Sequence, residues 1–132
     1  MQRIMTIAGT RPDIIRLNLI IKKLQKFSDH RFVYTGQNYD KKLSEIFFAN
    51  FDLYPDKGFE FKEPTPPYYP QALAILMSRV DLALKGFRPE KVLVLGDVHS
   101  SFATALVCEK EGIPVYHMEA GNRAWNKDNR DS

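Results

Sequence analysis

Apolar residues recur along this chain with two periods, and the points where one period gives way to the other divide it into alternating strands and helices. Arg3-Ile4-Met5-Thr6-Ile7-Ala8 reads as a first strand, ended by Gly9. A helix opens near Pro12, a position where the missing N–H costs nothing, and Ile14, Leu17, Ile21 and Leu24 follow at helical spacing on one apolar face. Arg31 to Thr35 makes a short second strand before Gly36. A second helix is expected over Lys41 to Asn50, with Leu43, Phe47 and Phe51 on its buried side, and Phe59-Glu60-Phe61 is read as a short third strand. Glu63-Pro64-Thr65-Pro66-Pro67 is a stiff connector. A long helix follows from Gln71 to Leu84, with Leu73, Leu76, Met77, Val80 and Leu84 as its stripe, Gly86 as its stop and Pro89 barring its resumption. Lys91-Val92-Leu93-Val94-Leu95 is an almost unbroken apolar run, as a parallel strand covered on both faces requires. A helix over Ser101 to Lys110, ended by Gly112 and Pro114, leads to a last strand, Val115 to Glu119, turned by Gly121.

Strands that alternate with helices from end to end imply a parallel sheet with right-handed crossovers, an open doubly wound α/β domain of the Rossmann-like kind. Ligands of such sheets bind outside the carboxyl ends of the strands, at the point where the strand order reverses. Three polar clusters fall on those ends. In Gly9-Thr10-Arg11-Pro12-Asp13 a tight turn meets a helix start, whose unpaired N–H groups and the Arg11 guanidinium suit a phosphate or carboxylate. The alternative is a structural turn beside a surface arginine. In Gly96-Asp97-Val98-His99-Ser100 a carboxylate follows a buried strand, where partial desolvation suits acid–base work, unless Asp97 only caps the next helix. In Glu119-Ala120-Gly121-Asn122-Arg123, Glu119 shares a strand face with His117 and forms with Asp97 a candidate proton-transfer pair. Asp97, His99, His117 and Glu119 are also possible metal ligands, but two such pairs without cysteine match no closed zinc site, and no metal is expected.

Composition narrows the class. The 132 residues suit one domain, and 44% hydrophobic with 27% charged residues is globular. No apolar run approaches the roughly 18 residues of a membrane span. The start at Met1-Gln2-Arg3 has no signal-peptide core. The lone Cys108 fits a reducing cytoplasm. A net charge of +3 with lysines scattered among acids argues against a nucleic-acid partner, and no membrane partner is expected either.

Taken together, Gly9 to Asp13, Thr35-Gly36-Gln37-Asn38-Tyr39-Asp40, Pro89 to Asp97 and His117 to Arg123 resemble the non-hydrolysing UDP-N-acetylglucosamine 2-epimerases, in the family's order and at its approximate spacings over nearly the whole chain. The resemblance implies the amino-terminal half of a glycosyltransferase-B type fold. It also implies inversion at C2 of a UDP-sugar by elimination of UDP and its re-addition, for capsule or O-antigen precursor synthesis, with no metal or organic cofactor. By motif, Arg11 would face the diphosphate, Asp97 and Glu119 would act as acid and base, His99 would lie on the substrate side and Arg123 would organise the loop after the last strand. Arg16 stands where the family usually has a lysine; a guanidinium keeps the cation but cannot donate a proton at neutral pH. The family's third acid, in a Pro-Glu-Glu stretch, falls by spacing near Arg130-Asp131-Ser132, so Asp131 is its substitute here.

On this reading residues 1–132 form one Rossmann-like domain without the carboxy-terminal domain that holds most uridine and phosphate contacts. The partners expected are therefore a UDP-sugar together with a separate carboxy-terminal domain chain or a second copy of the chain. Isolated, the chain is expected to be inactive. The alternatives are a degenerate, non-catalytic module and the partner-dependent half of a split glycosyltransferase-B enzyme.

Overall fold

A computed structural model describes residues 1–9, 11–35, 41–56, 69–95 and 98–118; the side chains of 11, 13, 16, 17, 41–44, 69, 95 and 98–100 also lie outside the description. The elements run β1 (Arg3–Ala8), α1 (Arg11–Phe27), β2 (Asp29–Tyr34), α2 (Lys41–Phe51), α3 (Tyr69–Phe87), β3 (Lys91–Leu95), α4 (Val98–Glu111) and β4 (Val115–Met118). The four strands form one sheet in the order β2-β1-β3-β4, with every pairing parallel. The α/β, doubly wound parallel sheet expected from the alternation is therefore the fold observed, and β1 pairs with β3 in the sense required.

Both faces of the sheet are packed, which is why β1 and β3 read as nearly unbroken apolar runs. Side chains alternate across a strand. Met5, Ile7, Val33, Val92 and Val94 meet Val80, Ala83 and Leu84 of α3 and Val107 and Cys108 of α4 on one face. Ala8, Phe32 and Tyr34 meet Ile14 and Ile21 of α1, Phe48 of α2 and Leu53 on the other. Phe48 stands edge-on to Phe32 and Tyr34, with ring centroids 6.5 and 5.1 Å apart, the arrangement that aromatic quadrupoles favour.

The element ends depart from expectation in instructive ways. α3 does not stop at Gly86 but continues to Phe87. It ends because Arg88 takes a left-handed conformation (φ 57°), with its N–H donating to the Leu84 carbonyl at 2.6 Å, and Pro89 follows. α4 starts at Val98, three residues before the Ser101 expected, because its first turn carries no apolar periodicity to announce it. In α2 the fully buried ring is Phe48, while Phe47 and Phe51 are only half-buried, so the apolar face is centred one residue away from the reading above. β2 begins at Asp29 rather than Arg31, since Asp29 donates to the Gln2 carbonyl (2.8 Å) and pairs in register with Arg3 despite its polarity. The expected strand at Phe59 to Phe61 lies outside the described residues.

The edge strand β2 is closed at Phe32: its N–H donates to an Asp56 carboxylate oxygen and its carbonyl accepts from the Asp56 N–H at 2.9 Å. At the amino ends of the strands, Arg3 donates through its backbone N–H to Glu90 at 2.9 Å and through Nε to the Arg88 carbonyl at 2.8 Å. These bonds clasp the start of β1 to the start of β3.

Candidate active site

Register makes the carboxyl ends of the strands flush. Tyr34 is opposite Ala8, Ala8 opposite Leu95, and Leu95 opposite Met118, so all four strands finish along one rim. Thr35, fully buried, donates its N–H to the Ala8 carbonyl at 2.9 Å and binds the ends of β2 and β1 together. From β1 the chain moves to one side into β2, whereas β3 and β4 build out on the other, so the strand order reverses between β1 and β3. α1 starts two residues after the buried Gly9, and α4 starts three residues after Leu95. Two helix amino termini, whose first N–H groups have no partner within the helix and carry partial positive charge, thus open on the rim at the reversal point. That is equipment for holding an anionic group beside the sheet.

Of the residues expected to do chemistry, only backbone positions on α1 and α4 are described. Arg11 is the first residue of α1, Arg16 lies five residues further along it, and His99 is the second residue of α4; their side chains are outside the description. Asp97, Glu119, Arg123 and Asp131 lie outside the described residues altogether. His117 is described, exposed on β4 and in register with Val94. Among the described residues no group of three or more histidines, cysteines or acids is arranged to hold a metal ion.

Reading the sequence as above missed the buried polar pair inside the sheet. His30 Nε2 lies 2.7 Å from Thr6 Oγ1, both groups being buried between strand and helix layers, and His30 Nδ1 is enclosed without a hydrogen-bond partner. Burial lowers the His30 pKa from 6.5 to about 4, with Asp56 pulling it up and Arg31 pushing it further down. The pair sits toward the amino ends of the strands, away from the rim, and is structural. A signal for it existed in the parity His30, Phe32, Tyr34, which puts the imidazole on the same inward face as the two rings.

The family model for UDP-N-acetylglucosamine 2-epimerase matches residues 22–131. The chain belongs to this epimerase family. A UDP-2,3-diacetamido-2,3-dideoxy-D-glucuronate 2-epimerase of Pseudomonas aeruginosa is 34% identical over 126 residues, which cover 94% of this chain and 35% of that protein. A solved UDP-GlcNAc 2-epimerase of Methanocaldococcus jannaschii, in complex with UDP-GlcNAc and UDP, superposes with a TM-score of 0.80 at 30% identity, over 96% of this chain and 35% of its own. The Neisseria meningitidis UDP-GlcNAc 2-epimerase, solved bound to UDP-GlcNAc, gives 0.79 at 28% identity, over 95% and 33%. The four-stranded α/β unit matches the amino-terminal part of these glycosyltransferase-B-like structures, and the chain spans about a third of the length of the relatives it matches.

Proposed function

We propose that this epimerase-family chain supplies the sheet-rim half of a site that inverts C2 of a UDP-2-acetamido sugar. The observation that carries the reading is the flush rim: two helix amino termini beside the β1/β3 reversal, in a chain whose family relatives include enzymes solved with UDP-GlcNAc. In this reading Arg11 and the start of α1 face the diphosphate, with Arg16 and His99 on the same substrate side. One of Asp97 and Glu119 removes the C2 proton; the C2–H electrons form the C1–C2 double bond as the C1–O bond breaks and UDP leaves. The other returns a proton to C2 from the opposite face as UDP adds back. Asp131 stands as the third acid and Arg123 organises the loop after the last strand. A cytoplasmic setting agrees with the buried free thiol of Cys108.

Residues 1–132 act in this reading as a single Rossmann-like domain whose cleft is closed by further polypeptide. Orientation of the sugar in a closed, dry site is worth roughly 7–11 kcal/mol of the barrier, and half a cleft does not provide it. The chain alone should therefore bind UDP-GlcNAc no better than about millimolar, near −4 kcal/mol, and should not epimerise it.

The test is hydrogen exchange at C2 of UDP-GlcNAc in heavy water, followed by NMR. It is run with the chain alone and with the chain joined to the carboxy-terminal remainder of a relative. Exchange is expected only in the joined protein, and Asp97→Asn or Glu119→Gln should abolish it. Joined protein that exchanges equally well with both carboxylates replaced would refute the residue roles. Exchange by the chain alone would refute the half-site.

A further inference from the structure

Three of the lysines gather at one end of α1. Lys22, Lys23 and Lys26 fall in the last two turns of α1, where the helix carries no acid. The same helix is apolar on two sides. Ile14 and Ile21 are spent on the core. Pointing the other way, Ile15, Leu19 and Phe27 are 46, 76 and 66% exposed. With Lys23 they form one row at four-residue spacing, and Lys22 and Lys26 flank it. Lys26 Nζ stands 5.6 Å from the Phe27 ring centre, so charge and apolar surface are interleaved rather than separate.

We propose that this outer row of α1 is a peripheral docking surface for an anionic lipid bilayer. An exposed apolar row alone would fit many partners, and the localised positive charge selects among them. A helix lying in the membrane interface binds through buried apolar area plus attraction to anionic headgroups, and its lysine stems reach along the apolar surface to keep their ammonium groups in water. Nucleic acid, the other polyanion, has no use for exposed isoleucine and leucine, and the row offers only one ring for base stacking. The geometry permits both engagements at once. α1 starts at the rim and runs away from it, so Lys22 to Phe27 lie about 17 to 24 Å along the helix from its start. Docking there leaves the rim open. The proposal does not depend on the epimerase chemistry.

The experiment is co-sedimentation of the 132-residue chain with vesicles of phosphatidylcholine alone or of phosphatidylcholine mixed with phosphatidylglycerol. The chain should sediment only with the anionic vesicles, and less as salt is raised. Two variants, Leu19→Glu with Phe27→Glu and Lys22→Glu with Lys23→Glu and Lys26→Glu, should each lower the bound partition by about tenfold or more. Leu19→Gln with Phe27→Gln keeps the test valid should the acidic variant fail to fold, and circular dichroism reports that. Absence of sedimentation with either vesicle, or equal sedimentation with both, would overturn the proposal. So would undiminished binding by the Leu19 and Phe27 variants, which would reveal plain electrostatic adsorption. Sedimentation velocity showing a dimer that Leu19→Gln dissolves would assign the row to a second copy and overturn it likewise.

Discussion

Acid should destabilise this domain through one imidazole, and the size of the effect follows from its surroundings. His30 is 7% exposed, bonded at Nε2 to Thr6 and unpartnered at Nδ1, and burial lowers its pKa from 6.5 to about 4. Between those two values the unfolded chain binds a proton that the native chain refuses, so stability rises with pH across that window. The contribution is complete above about pH 6.5, falls as pH drops toward 4, and is fully lost below it. A difference of 2.5 between the two values corresponds to about 3 kcal/mol in all, of which about 2 kcal/mol is gone by pH 5. Domains of this size are stable by only about 5–15 kcal/mol, so the loss is a large fraction. Urea unfolding at pH 7 and pH 5, for the chain and for His30→Gln, measures it. Carboxylates contribute the same background to both proteins, so the difference isolates the imidazole. The unsubstituted chain should lose about 2 kcal/mol more than the variant between the two pH values. Equal losses would mean that His30 titrates alike in the folded and unfolded chain, and the account of its burial would fall.

Other substitutions probe the fold at separate points. Ile7→Ala removes a fully buried side chain from the middle strand and should cost about 2–5 kcal/mol in urea unfolding. Gly112 has φ +72° with open space where a Cβ would stand, so Gly112→Ala should cost about 1 kcal/mol through backbone strain alone; an unchanged midpoint would contradict that. The Cys108 thiol is pushed up to about 11 by burial and by Glu111. At pH 8 it should react with a disulfide reagent only as fast as the domain opens, and at once in denaturant. Rapid reaction of the native chain would contradict its burial.

Much of the architecture was legible because parallel strands buried on both faces leave an unmistakable apolar run between glycines. β1 and β3 begin and end where the sequence puts them. Helix ends were less legible. Gly86 looked like a stop, yet Arg88 adopts the left-handed turn instead, and only the Leu84 carbonyl it satisfies explains why. Phe47 and Phe48 are adjacent rings of equal hydrophobicity, and the choice between them is made by Phe32 and Tyr34 across the interface, which local periodicity does not contain. His30 lay hidden in Ser28-Asp29-His30-Arg31, a polar stretch that reads as a loop until Gln2 and Arg3 pair with it. For the candidate site, strand order alone fixed the rim from which Asp97 and Glu119 follow. Both lie outside the described residues.

The position of β1 has a consequence for how the chain is made. β1 precedes both of its neighbours in sequence but lies between them in the sheet. Its pairing with β2 is nearly local, whereas its pairing with β3 joins Ile4 to Lys91. A growing polypeptide can therefore close only one side of Ile4–Ala8 while α2, α3 and the segment between them are still being translated, on the order of several seconds at ordinary ribosome speeds. During that interval a bare apolar strand edge faces solvent, the kind of surface that seeds intermolecular pairing. Translation through α3 is thus the vulnerable stage of biogenesis, and that unpaired edge of β1 is where a holding chaperone has most to gain by binding.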